Sequence, residues 1–327
     1  MQVYVKTPSR LHFALIDLNG ELGRVDGSLG LSLDFPNLAL NAQPHDKLEI
    51  IGEQAEQFRK FALQFLSHFQ IGGGVQIQIE SAIPQHVGLG SGTQSSLAIA
   101  AALAEIFGIE GTVRAYAKVM GRGSTSGVGV AAFEGGGLVL DGGHSFGENR
   151  EKQGFLPSHI SKASPAPLLA RYSLPKDWMF VLAIPNVLRK VFGEEEARIF
   201  RERCPIHSSE VEKVCRTILM KILPAVIEQN IVEFGAGLNE LQRSGFAHVT
   251  LDLMHPTVKS CIQFLNDQDA LGAGQSSFGP TCFGLVQGEN KAATLAKAVE
   301  DFLSNKGGGR VFYTAANNIG AIIRVSP

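Results

Sequence analysis

A glycine-rich run, Ile83-Pro84-Gln85-His86-Val87-Gly88-Leu89-Gly90-Ser91-Gly92-Thr93-Gln94, follows an alternating segment, Val75 to Glu80, and precedes an Ala- and Leu-rich stretch, Ser95 to Phe107. The first flank reads as a strand and the second as a helix. A glycine loop between a strand and a helix start aims bare backbone N–H groups and the positive helix end at one point, which suits phosphate or another anion. Ser91, Thr93, Ser95 and Ser96 add hydroxyls, and Gln94 adds an amide. No Lys follows, so the run is not G-x-x-x-x-G-K-[ST], and it lacks the G-x-G-x-x-G spacing of dinucleotide sites. An ordinary tight strand–helix turn is the alternative at this point.

The rest of the chain mixes strands and helices without strict alternation, which predicts an α+β fold. Strands are expected at 2–7 and 10–17, paired across Thr7-Pro8-Ser9, and at 29–33, 37–42, 47–51 and 74–80. Helices are expected at 54–69, with Phe58, Phe61, Ala62, Phe65 and Phe69 on one face, and at 93–107 and 112–120. A second glycine-rich stretch runs from Gly121 to Gly129. The second half opens with a buried strand at 178–184, followed by helices near 194–203, 208–229 (kinked at Pro224), 230–243 and 256–266. Strand 281–287, helix 290–304 and strands 311–314 and 320–325 close it. A chain of 327 residues is long for one core, which predicts two domains. The proline-rich, loop-like segment 144–176 places their boundary, giving 1–165, with the glycine loop, and 166–327.

The net charge of −2 offers no basic footprint for nucleic acid, so an anionic ligand must be met by loops and a few arginines. Cys204, Cys215, Cys261 and Cys282 are scattered without a C-x-x-C pair, which speaks for a reducing compartment and against a zinc or disulfide framework. The most apolar helix is too short to span a bilayer and Met1 leads directly into a strand, so a cytoplasmic protein is expected.

Pro84-x-x-x-Gly88-Leu89-Gly90-Ser91 resembles the phosphate loop of the GHMP kinase superfamily, which includes galactokinase, homoserine kinase, mevalonate kinase and phosphomevalonate kinase. Thr7-Pro8-Ser9-Arg10-Leu11-His12-Phe13 resembles its first motif and Gln275-Ser276-Ser277-Phe278-Gly279-Pro280-Thr281 its third, in the superfamily's order. The resemblance implies a two-domain GHMP-kinase-like fold. Two departures stand out. The kinases commonly carry Pro-Ser-Gly-(Ile/Val)-Asp where this chain has Thr125-Ser126-Gly127-Val128-Gly129, so glycine replaces the Asp that activates the substrate hydroxyl. Gly92-Thr93-Gln94 also stands where kinases usually have Ser-(Ala/Ser)-Ala.

The runs Thr7 to Phe13, Ile16 to Gly20, Arg24-Val25-Asp26-Gly27-Ser28-Leu29-Gly30-Leu31, Gly88 to Gln94 and Gly121 to Gly127 together resemble the β-ribofuranosylaminobenzene 5′-phosphate synthase family. The resemblance implies a reaction that joins phosphoribosyl pyrophosphate to 4-aminobenzoate, or 4-hydroxybenzoate, with release of CO2 and pyrophosphate in tetrahydromethanopterin biosynthesis. Such chemistry needs anion clamps, Mg²⁺ and exclusion of water, and no base to deprotonate an attacking alcohol. Gly88, Leu89, Gly90, Ser91, Gly92, Thr93 and Gln94, with Ser276, Ser277 and Gly279, are then the phosphate-binding candidates. Arg10, Arg24 and Arg122 are candidates for phosphate or the benzoate carboxylate. Asp17 and Asp26 are the candidates for Mg²⁺ or for steadying a cationic sugar, and His12 for a benzoate contact or proton transfer.

Plainer readings sit beside these. Arg10 and Asp17 lie an odd number of residues apart, so a straight strand turns them to opposite sides. Asp141 and His144 lack a third metal ligand and read as a turn. His255, before Pro256, reads as a helix start. Arg189, Lys190 and Glu194 to Glu196 read as a solvated helix entrance. An ATP-dependent small-molecule kinase and a non-catalytic ligand-sensing protein are the alternative functions, and a homodimer is the expected assembly.

Overall fold

The computed structural model describes residues 1–188 and 193–327; Arg189 and Lys190 lie outside the described residues. The elements run β1 (Gln2–Asp17), β2 (Arg24–His45), β3 (Glu49–Ile51), α1 (Ala55–His68), β4 (Gly74–Ser81), α2 (Ser91–Phe107), α3 (Val113–Val119), α4 (Val128–Gly135), β5 (Leu138–Asp141), β6 (His144–Ser145) and β7 (Leu168–Tyr172). They continue as β8 (Trp178–Pro185), α5 (Glu194–Arg203), α6 (Ser208–Thr217), α7 (Leu223–Ile227), α8 (Ile231–Leu241), α9 (Gly245–Val249), α10 (Pro256–Asp267), β9 (Gly272–Gln275), β10 (Cys282–Gln287), α11 (Glu289–Ser304), β11 (Gly309–Ala315) and β12 (Ile322–Ser326).

One sheet has the order β12-β1-β2-β4-β3, with β5 and β6 also on β2 and β7 on β5. The second is β11-β8-β10-β9 and antiparallel throughout. The sheets cut the chain differently from the boundary expected at 165. β7 and β12 both lie after that point, yet they pair with β5 and β1 in the first sheet. Edge pairing of this kind leaves no mark in local periodicity.

Residues 2–17 form one strand, not two. It pairs with β2 along its length, and register shifts at Pro8/Ser9 and His12/Ala14 absorb the proline that seemed to end it. Segments 29–33 and 37–42 likewise belong to the single strand β2. α1 buries Phe58, Phe61, Ala62, Phe65 and Leu66, the face its spacing sets. α2 is Ala-rich and buried on nearly every side, as an all-round apolar helix must be. Helix 208–229 is divided: a π-turn over 218–222 separates α6 from α7, and Pro224 sits in the first turn of α7. The π-turn before it accommodates the proline within a backbone that stays helical. α4 was not expected, because Gly127, Gly129 and Gly135 argue against a helix. It forms because Val128, Val130, Ala131, Ala132 and Phe133 are all buried.

Candidate active site

β12 pairs with β1 only as far as Lys6. Beyond it the backbone of β1 is taken up by the two glycine-rich loops. The Arg10 N–H donates to Leu89 O at 3.0 Å. The His12 N–H donates to Ser276 Oγ at 3.0 Å, and the Ser277 N–H donates to His12 O at 3.2 Å. The loops also hold each other: Ser276 Oγ donates to Gly88 O at 2.7 Å and Thr281 Oγ1 to Val87 O at 2.6 Å. A Cβ on Gly88 would lie 2.3 Å from Ser276 O, and one on Gly279 would lie 2.1 Å from Val87 O. These two glycines therefore serve backbone-to-backbone packing, which corrects their expected role as bare surface for a phosphate. Ser276 and Leu89 are likewise spent on this junction, and both are buried.

The candidate anion site lies just beyond. Gly90, at φ 80, ends the loop as the N-cap of α2. No acidic residue occupies the first turn of α2, and among the described residues the Ser91 and Gly92 N–H groups have no acceptor. Their positive end is uncompensated. Arg122 lies close by, its guanidinium 3.5 Å from where a Gly92 Cβ would stand and 5.2 Å from the Phe61 ring centre. Its Nε is buried without a partner. Arg10 donates to Gly88 O. Burial pushes Arg10 down to about 10 and lowers Arg122, and neither meets a carboxylate among the described residues. Two desolvated guanidiniums without carboxylate partners at one helix start are the groups that a multiply charged anion requires.

Arg10 and Arg122 line one polar cavity of about 700 Å³, open to solvent, with His12, Thr93, Ser126 and Ser277. Thr93 is thus the glycine-run side chain that faces it. Gly129 lines it too, and a Cβ there would meet Thr93 Cγ2 at 3.1 Å. A second, mainly apolar cavity of about 900 Å³ adjoins it, walled by Phe246, Leu253, Met254, His255 and Val258. The two share His12, Leu15, Ser277 and Phe278. His12 is pushed down to about 3, first by burial and then by the Arg10 charge, so its imidazole is neutral. Among the described residues no hydrogen bond ties its ring to another residue.

The other candidates stand elsewhere. Asp17 Oδ1 accepts from the Asn19 and Gly20 N–H groups at 2.8 and 3.1 Å; it caps the turn leaving β1, which satisfies its odd spacing from Arg10. Asp26 is fully enclosed. It binds His144 Nδ1 at 2.6 Å and Lys152 Nζ at 2.9 and 3.1 Å, while Lys152 also donates to Leu156 O and His144 Nε2 meets Ser164 O. This ion pair ties the 142–164 segment to β2. Arg24 donates to the carbonyls of Gly142 and Gly143 and faces neither cavity. Gln94 is buried: the Thr7 hydroxyl donates to its Oε1 and its Nε2 donates to Gly129 O at 2.7 Å. Asp26 and Gln94 are satisfied within the fold, and Asp17 and Arg24 line neither cavity, so none of the four is placed for the role expected of it. Asp141 and His144 do not form a metal pair either, since His144 turns to Asp26.

Superfamily members commonly use Mg²⁺. Asp17 and Asp26 are cross-strand partners, but the Lys152 ammonium binds both Asp26 oxygens, so the pair does not fit a hard dication. No group of three or more His, Cys, Asp or Glu suited to a metal occurs among the described residues. Sequence reasoning missed Lys152, whose partner is remote in sequence, and Ser126, which entered only as part of the motif runs and not as a site residue.

The fold and the loop junction define a GHMP-type protein. Residues 56–137 match the GHMP kinases N terminal domain and 222–305 the GHMP kinases C terminal domain. Homoserine kinase from Cytophaga hutchinsonii superposes with a TM-score of 0.67 over 99% of this chain and 97% of that one, at 16% identity. Beta-ribofuranosylphenol 5′-phosphate synthase of Methanothermobacter thermautotrophicus is 40% identical over 99% of both chains. That of Archaeoglobus fulgidus is 42% identical over 98% of this chain and 99% of its own. The chain belongs to this synthase family, a non-kinase branch of the GHMP kinase superfamily.

Proposed function

We propose that the chain transfers the phosphoribosyl group of phosphoribosyl pyrophosphate to a 4-substituted benzoate and releases CO2 and pyrophosphate, a step of methanopterin-type carrier synthesis. The observation that carries this is the pair of adjoining cavities, one polar and lined by Arg10, Arg122 and Glu196, the other apolar, meeting at His12. Pyrophosphate leaves with the C1′–O electron pair, drawn by Arg10, Arg122 and the start of α2. The ring carbon bearing the carboxylate donates a π pair to C1′. The C–CO2 bond pair then returns to the ring as CO2 departs. No attacking hydroxyl needs a base, in keeping with Gly129 and with the neutral His12 at the junction. The apolar walls exclude water from the cationic sugar. A dication would enter with the pyrophosphate, whose oxygens supply ligands.

His255 favours an oxygen as the para substituent. Its Nδ1 accepts the Thr257 N–H at 3.2 Å, which leaves the neutral ring's hydrogen on Nε2. A donor at the wall of the apolar cavity suits 4-hydroxybenzoate better than 4-aminobenzoate, and the relatives are named for a phenol product. A homodimer and a cytoplasmic setting belong to the same reading. Leu219, Met220, Ile227 and Val232 are exposed on consecutive helical segments, no described helix is long and apolar enough to cross a membrane, and all four cysteines are free.

The test is release of CO2 from carboxyl-labelled 4-hydroxybenzoate and 4-aminobenzoate with phosphoribosyl pyrophosphate and Mg²⁺. Release matched by pyrophosphate, without ATP consumption, is expected. ATP-dependent phosphorylation of a small alcohol would replace this reading with a kinase.

A further inference from the structure

Asp141 ends β5 almost completely buried, and neither the anion site nor the apolar cavity uses it. Its Oδ2 accepts from Ser28 Oγ and from the Gly127 N–H at 2.8 Å, and its Oδ1 from the Gly143 N–H at 3.0 Å. Ser28 Oγ in turn lies 2.6 Å from Ser126 Oγ, which lines the polar cavity beside Arg10 and Arg122. Proton counting fixes the direction of this chain. The Ser28 proton goes to the carboxylate, so Ser28 accepts the Ser126 proton. Ser126 Oγ also accepts the Val128 N–H at 3.3 Å. Ser126 lines the cavity, and with its proton committed to Ser28 it can meet a ligand there only as an acceptor.

We propose that Ser126 accepts a hydrogen bond from a ribose hydroxyl of the phosphoribosyl donor, and that Asp141, acting through Ser28, is the positioning residue that keeps it an acceptor. This rests on the phosphoribosyl-transfer reading. The sugar must lie between the two arginines, which hold its phosphates, and the junction at His12, where C1′ meets the ring. Ser126 lines that cavity. As pyrophosphate departs, the ribose gains positive charge and its hydroxyls become stronger donors. The bond to a polarised serine therefore tightens in the transition state.

Burial raises the Asp141 carboxyl to about 6, against the Ser28, Gly143 and Gly127 hydrogen bonds and the His144 charge. His144 is its titratable neighbour, hydrogen-bonded to Asp26, which also binds Lys152; Arg24 binds the adjacent Gly142 and Gly143 carbonyls. Once protonated, Asp141 can donate to Ser28. The chain then reverses and Ser126 presents a proton to the cavity, where an acceptor is required.

The experiment measures CO2 release by the wild-type protein, Ser28→Ala and Ser126→Ala between about pH 5 and pH 8, with the ribosyl, 2-deoxyribosyl and 3-deoxyribosyl pyrophosphate donors. Each variant is expected to lose about tenfold in kcat/KM on the ribosyl donor, and Ser28→Ala to lose the acid limb near the Asp141 transition. With the deoxy donor that lacks the contacted hydroxyl, the Ser126→Ala penalty should vanish. Ser126 borders the cavity, so its variant tests the idea even if Ser28→Ala does not fold. Persistence of the Ser126→Ala penalty with both deoxy donors, or its absence with the ribosyl donor, would overturn the inference. No CO2 release by the wild-type protein would overturn the underlying reading, and the inference with it.

Discussion

Replacing Arg122 by Met should stabilise the fold and disable the site. The guanidinium is desolvated, has no carboxylate partner among the described residues, and leaves its Nε buried and unbonded. Relieving an uncompensated site charge returns on the order of 1–2 kcal/mol. Against this, the contact with Phe61 at 5.2 Å is worth about 0.5–1 kcal/mol, and a Met sulfur on the same ring recovers much of it. The net is about 1 kcal/mol in favour of the variant, or about 2 °C in Tm for a chain of this size. Turnover should move the other way. Loss of a charge-assisted contact to pyrophosphate costs about 3 kcal/mol, or about 10²-fold in kcat/KM. Ligand linkage separates the two effects. Pyrophosphate at about 100 times its Kd stabilises the parent by about 2.7 kcal/mol, and a variant weakened 10²-fold retains about 0.4 kcal/mol at the same concentration. Thermal unfolding with and without pyrophosphate, beside CO2 release, reads both. A variant that melts below the parent and keeps its pyrophosphate shift would show Arg122 to be structural.

Asp26→Asn should cost about 3–5 kcal/mol in urea unfolding, because it strands Lys152 in the interior, and added Mg²⁺ should not restore it. Gly88→Ala should destabilise by at least about 2 kcal/mol, since its φ of 94 and the 2.3 Å approach to Ser276 O leave no room for a methyl group; an unchanged urea midpoint would refute the loop junction. The pH dependence of stability involves two opposed groups. His12 falls from 6.5 to about 3 on folding, so the unfolded chain binds more protons in that interval and stability rises with pH there. Asp141 rises from 3.8 to about 6, so its contribution falls with pH across that interval. Their slopes, each up to about 1.4 kcal/mol per pH unit, cancel where they overlap. His12→Asn should therefore make stability fall with rising pH between about 4 and 6; a profile parallel to the parent's would remove His12 from that balance.

Local sequence determined the elements whose signal is local. The α1 face, the buried β8 and the strand–glycine–helix passage at 74–107 are spelled out by spacing and by residues with special backbone preferences. Motif order along the chain carried the family, and with it the placing of Arg10, His12, Arg122 and the α2 start together. Only the tertiary structure decided how polar side chains are spent. Asp26, Arg24 and Gln94 looked free because their partners Lys152, the Gly142 and Gly143 carbonyls, Thr7 and Gly129 are brought near by folding alone. A buried charge or amide takes whichever partner the packing supplies, since an unpaired one costs too much. Arg10 and Arg122 are the exceptions, with no carboxylate partner among the described residues. They keep two cations beside an open cavity, and in the proposed function an anionic ligand supplies the missing charge.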